Sequence, residues 1–245
     1  MKYDRYRFSI KESIFYIAEY LLVISATAYL FYDSVYAFLF LLAGLIIFLS
    51  RKKKQLIRKR KKELCMQFQE AIASAATAMS AGYSVENAFR EAWYDMQKLY
   101  GEDSLIVGEL KDFVHQLAVN RTLEEFLLEF ADRADAEDIT DFSIVFSTAK
   151  KNGGNFNRII QRSVDIMRSK RETEQEIEVL LSGKQYEQKI MGAVPFLIIG
   201  YMRWSTGSFM DVLYHNPVGI AAMSVCLLLY AAAVLLSEKI VAIEV

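Results

Sequence analysis

The segment AKKNGGNFNRII, Ala149 to Ile160, sets two glycines between a lysine pair and an asparagine, residue types that can cradle a phosphate. A nucleotide-hydrolase loop needs G-x-x-x-x-G-K-[ST], because backbone N–H groups wrap the phosphates, a lysine reaches them and a hydroxyl holds magnesium. That spacing is absent. The dinucleotide fingerprint G-x-G-x-x-G requires a preceding strand, whereas Ile139, Phe142, Val145, Phe146 and Ala149 recur at helical spacing. The residues fit a helix junction instead: Asn152 and Gly153 end one helix, Gly154 lets the chain reverse, and Asn155 caps the next.

Acidic side chains are the next candidates for chemistry. Glu124, Glu125, Glu129, Asp132, Asp135, Glu137, Asp138 and Asp141 are dense enough to suggest a divalent cation or an acid–base pair. Ligands for either task must converge, and these spread around two predicted helices. A solvated face accounts for them, with Glu124, Glu125, Glu129, Asp132, Asp135 and Asp138 as a candidate docking surface on which complementary charge would steer a basic partner. His115 and His215 fall in different segments, and Cys65 and Cys226 lack C-x-x-C spacing, so neither pair indicates a metal or disulfide framework. Phe68, Phe89, Trp93, Phe113, Phe126, Phe130, Phe142 and Phe146 recur on apolar helical faces, which is core packing rather than base stacking. The sequence predicts no catalytic, metal-binding or cofactor site.

The elements that would carry these residues are helical. Over 245 residues there are 11 Gly and only 2 Pro, too few punctuators for a strand-rich fold, and Ala, Leu, Glu, Lys and Met-rich runs dominate. The chain is 53% hydrophobic with a net charge of −1, which argues against a general nucleic-acid binder. Charge and hydropathy are unevenly distributed. Residues 14–49 are almost continuously apolar, longer than one crossing of a roughly 30 Å hydrocarbon core, so two spans are expected at about 14–31 and 35–50, with Asp33 in the turn. A second apolar region begins near Ile190, breaks at STGSFMDVLYHNP and resumes to Leu236, giving two more spans, with Pro195 as a tolerated kink. Glu19, near the start of the first span, is expected to sit among headgroups.

Basic residues set the orientation. Lys2, Arg5, Arg7 and Lys11 precede the first span, and RKKKQLIRKRKK follows the second, with Arg51, Lys52, Lys53, Lys54, Arg58, Lys59 and Arg60 as lipid and topology contacts. Both ends of that hairpin, the central region and the C-terminus are therefore expected in the cytoplasm, with Arg203 an exception on the outer side. A cleaved signal peptide ending at Ala26-Thr27-Ala28 is the competing account of the start. The expected domains are 1–62, a hairpin with its basic tract; 63–187, a cytoplasmic helical domain; and 188–245, a second hairpin.

Within 63–187, helical punctuation predicts six helices. Gly82 ends the first and Ser84 caps the second; Thr122 and Glu125 form a capping box for the fourth; the fifth covers about 137–151, and a long sixth starts at Asn155 and runs toward the third span.

The ordered combination of MSAGYSVENAF, NRTLEEFLLEFADR, FSIVFSTAKKNGGNFNRIIQ and SGKQYEQKIMGAVPF, flanked by paired apolar spans, resembles the type II secretion F domain. It is most similar to the TadB and TadC platform proteins of the tight-adherence (Flp) pilus machinery, and Ser182-Gly183-Lys184 looks more like TadB. The resemblance covers about Leu64 to Pro195 and implies an all-α integral membrane protein with four spans and a six-helix cytoplasmic F domain. It further implies a non-enzymatic platform in a prokaryotic inner membrane, working with a hexameric secretion ATPase, a sister F-domain subunit or second copy, pilin and membrane lipids. A transporter subunit or membrane-anchored regulator is the alternative; it would need polar residues lining a path through the spans, and these are scarce.

Overall fold

Helix-forming runs interrupted by few turn residues give an all-helical chain. The computed structural model describes residues 3, 10–117, 121–152, 156–205, 213–214 and 216–241, and among these there is no strand. The helices are α1 (Ile10–Phe31), α2 (Val35–Leu42), α3 (Leu45–Ser80), α4 (Val85–Tyr100), α5 (Leu105–Leu117), α6 (Leu123–Ala134), α7 (Glu137–Asn152), α8 (Phe156–Ser205) and α9 (Pro217–Val241).

The chain divides into two compact units, Met1–Arg7 with Lys53–Thr173, and Phe8–Lys52 with Glu174–Val245. The sequence-based boundaries at 62/63 and 187/188 fall inside α3 and α8. A helix is held by backbone hydrogen bonds that are indifferent to whether its side chains are apolar or basic. α3 therefore runs unbroken from the apolar Leu45 through the basic tract to Ser80.

In the first unit, the core joins Leu64, Phe68 and Ile72 of α3, Phe89 of α4, Phe113 of α5, Phe126 and Phe130 of α6, Phe142 and Phe146 of α7 and Ile160 of α8. Edge-on and tilted ring pairs, such as Phe68 with Phe142 at 5.4 Å and Phe113 with Phe126 at 4.9 Å, fill it. Such pairs add about 0.5–1.5 kcal/mol each beyond their buried area. The predicted caps form. Gly82 adopts φ +95°, its N–H donates to the Met79 carbonyl and that of Tyr83 to Ala78, a Schellman ending. Ser84 accepts from the Asn87 N–H, and Thr122 and Glu125 make the reciprocal capping box. α7 extends to Asn152, while Gly153, Gly154 and Asn155 of the expected junction lie outside the described residues.

In the second unit, α1 and α9 supply helices long and apolar enough to cross a membrane, Ile10–Phe31 and Pro217–Ser237. A third is available when α2 and α3 count as one span bent by 44°. The expected span at about 35–50 is thus interrupted at Ala43–Gly44. At this break the Tyr20 hydroxyl of α1 donates to the Leu41 carbonyl at 2.7 Å, and a Cβ on residue 44 would lie 2.5 Å from that hydroxyl. The expected span from Ile190 is the end of α8, which is not among the helices long and apolar enough. α8 carries Pro195 internally, which removes the bond to the Met191 carbonyl, and the Tyr230 hydroxyl of α9 donates to the neighbouring Gly192 carbonyl at 2.6 Å.

Candidate functional site

The acidic residues lie on α6, α7 and the turn between them, and most already have partners. Glu124 in the first turn of α6 pairs with Lys150 in the last turn of α7 at 2.9 Å. Glu125 closes the capping box, its carboxylate accepting from the Thr122 N–H. Glu129 pairs with Arg121 at 2.8 Å and with Arg133 at 2.7 Å. Asp138 and Glu137 both face Lys170 of α8, at 2.7 and 3.6 Å. Asp135 ends α6 in the left-handed region at φ 47°, and Lys61 donates to its carbonyl and carboxylate at 3.1 and 2.7 Å.

Exposed pairs of this kind contribute about 0–1 kcal/mol each, so their main effect is to occupy charge. Of the six predicted docking residues, four carry a cation partner and Glu125 is bound in its cap. Asp132 is exposed and forms no ion pair among the described residues, as does Asp141 on α7. Leu128 of α6 and Ile144 and Val145 of α7 also expose apolar side chains. No group of three or more metal-ligating side chains occurs among the described residues.

The basic tract is also divided in its tasks. Lys52 pairs with Glu19 at 3.6 Å and sits over the rings of Tyr16 and Phe48 at 5.3 and 5.4 Å. Glu19 is thus compensated within the apolar unit, nearly three turns into α1. Arg60 lies over the ring of Tyr3 at 5.7 Å. Arg51, Lys53, Lys54, Arg58 and Lys59 are exposed along α3.

One feature escaped the sequence reading. Tyr3 is buried in the helical unit: its hydroxyl donates to Glu109 of α5 at 2.7 Å, and its N–H donates to the Arg133 carbonyl at 3.1 Å. Glu109 is 7% exposed and bonds the Arg133 guanidinium. Burial pushes the Tyr3 hydroxyl well above the usual tyrosine range, and the Glu109 charge and hydrogen bond push it further. Burial alone would lower the Arg133 pKa, but Glu109 and then Glu129 more than offset this and hold it raised. No periodicity or local motif links residues 3, 109 and 133.

A second knot lies in the apolar unit. Arg203 of α8 donates to the Tyr29 carbonyl at 2.6 Å and to Asp33 at 2.7 Å, with its guanidinium 3.8 Å from the Tyr29 ring centroid. Asp33 sits at φ 46° in the α1–α2 turn. The one basic residue that broke the charge pattern is therefore neutralised by the aspartate of the expected turn.

His115 is exposed on α5, and His215 lies outside the described residues. No family model, curated protein or solved structure matches the chain.

Proposed function

We propose that this chain is a platform protein of a type II secretion or Flp pilus assembly machine, set in a prokaryotic inner membrane by four spans with both termini cytoplasmic. It passes motion from a hexameric cytoplasmic ATPase to pilin being drawn from the bilayer, and pairs with a sister F-domain subunit or a second copy. The observation that carries this reading is α8. One 50-residue helix holds Ile160 and Met167 in the helical core and, toward its other end, places Phe196 against Phe31 and Arg203 against Asp33 in the apolar unit. A displacement imposed on its first turns is carried along the helix toward the apolar helices, with Pro195 a single missing bond on the way.

The partner surface is the patch of Leu128, Ile144 and Val145 with Asp132 and Asp141 at its rim, since the other carboxylates of α6 and α7 already hold cations or caps. The end of α8 from Ile190 supplies the fourth span, its short apolar length matched by local thinning of the bilayer and by Arg203 held at Asp33.

The test is a flexible Gly-Ser insertion after Gly183, where the helix is exposed on all sides. Membrane insertion should persist while pilus assembly or secretion by the host is lost. Normal assembly with the insertion in place contradicts the coupling role.

A further inference from the structure

We infer that Tyr3 is a topology latch: by docking against Glu109, Arg133 and Arg60, it holds the chain's N-terminus on the same membrane side as the helical unit. The inference rests on the spanning reading of α1 and its neighbours. Tyr3 is 8% exposed, and the unit it enters otherwise begins at Lys53. Between the two lie α1, α2 and the start of α3, which hold the apolar residues of the first hairpin. Residue 3 can occupy its dock only if the intervening chain crosses the membrane an even number of times. An N-terminus on the opposite side would return the Tyr3 ring to water and leave the buried Glu109 carboxylate one donor short, a cost borne by the folded unit.

The basic residues Lys2, Arg5, Arg7 and Lys11 favour the same side during insertion. The dock differs from them in kind, because it acts only after the helical unit has folded and depends on one side chain. It also makes the helical unit sensitive to the N-terminus: an orientation error, or cleavage after Ala28, empties the site.

The experiment uses the full chain in native membrane vesicles, with an N-terminal tag read by protease from each face. Retention of the chain through an alkaline carbonate wash is measured first; release would overturn the spanning reading and the latch with it. In the variant with Lys2, Arg5, Arg7 and Lys11 all replaced by Gln, the latch predicts that the tag stays on one face. Adding Tyr3→Ala to that variant should make the tag accessible from both faces. In the otherwise native chain, Tyr3→Ala should speed proteolysis of the helical unit about tenfold, because cleavage follows the population of the opened state. The latch is overturned if the four-Gln variant is already mixed with Tyr3 in place, if it stays uniform without Tyr3, or if Tyr3→Ala leaves proteolysis unchanged.

Discussion

The pair of buried Glu109 and partly buried Arg133 sets the most consequential chemistry at the level of single residues. Removing one partner of such a pair leaves an uncompensated buried charge, so Arg133→Met should destabilise the helical unit by about 3–5 kcal/mol in denaturant titration. Tyr3→Phe keeps the ring and removes only a hydroxyl bound to a carboxylate, and a loss of about 1.5–3 kcal/mol is expected. The same hydroxyl predicts a pH dependence. Its folded pKa is raised above the usual tyrosine value of about 10, so the folded state keeps a proton that the unfolded chain releases. The stability contributed by Tyr3 is then fully present below pH 10 and falls as pH rises above it. Melting curves at pH 8 and 11 should show the native chain losing its advantage over Tyr3→Phe; a constant gap would mean the hydroxyl does not carry the interaction. Nothing in the sequence pointed to this site, because the contact joins positions 106 residues apart. Asp135 shows the opposite case. It was legible as an acidic residue near others, but its work is conformational, closing α6 in a left-handed turn under Lys61.

Helix ends were the most legible elements, because caps are local. Ser84, the Thr122–Glu125 box and Gly82 each act within a few residues, and each forms as the spacing predicts. Helix continuity was less legible. The change from apolar to basic at Ser50–Arg51 looks like a boundary in composition, while the backbone passes through it without interruption. The break at Ala43–Gly44 was missed for the reverse reason: it falls inside an unbroken apolar run, beside a side chain of another helix. A concrete consequence follows for α1 and α3. Gly44→Ala places a methyl group against the Tyr20 hydroxyl and should cost about 1–3 kcal/mol in the detergent-solubilised protein. Combining it with Tyr20→Phe removes the obstructing oxygen, so the double variant should melt above the sum of the two single losses. Strict additivity would place the cause of the bend elsewhere.

Across the whole chain, charge and hydropathy separate into an apolar unit and a charged helical unit, and this much was readable from composition alone. Membrane-spanning capacity rests on α1 and α9, with the bent α2–α3 pair as a third. What composition could not supply is which carboxylates remain available, since that depends on cations from α3, α7 and α8 that approach across the fold. Asp132 and Asp141, which form no ion pair among the described residues, give a direct forecast: if the proposed partner surface is right, Asp132→Lys with Ile144→Arg should abolish association with a basic partner while leaving the melting temperature of the helical unit within about 2 °C, as expected of exposed positions. A matching loss of stability would show that the patch is structural.

The measurement that bears most directly on the platform role is gentle crosslinking of the full-length protein in its native membrane, followed by purification and mass spectrometry of the attached chains. The platform account predicts recovery of a hexameric secretion ATPase together with a second F-domain protein, with crosslinks falling on α6 and α7. Recovery of transporter or signalling subunits, with no secretion ATPase among them, would contradict it.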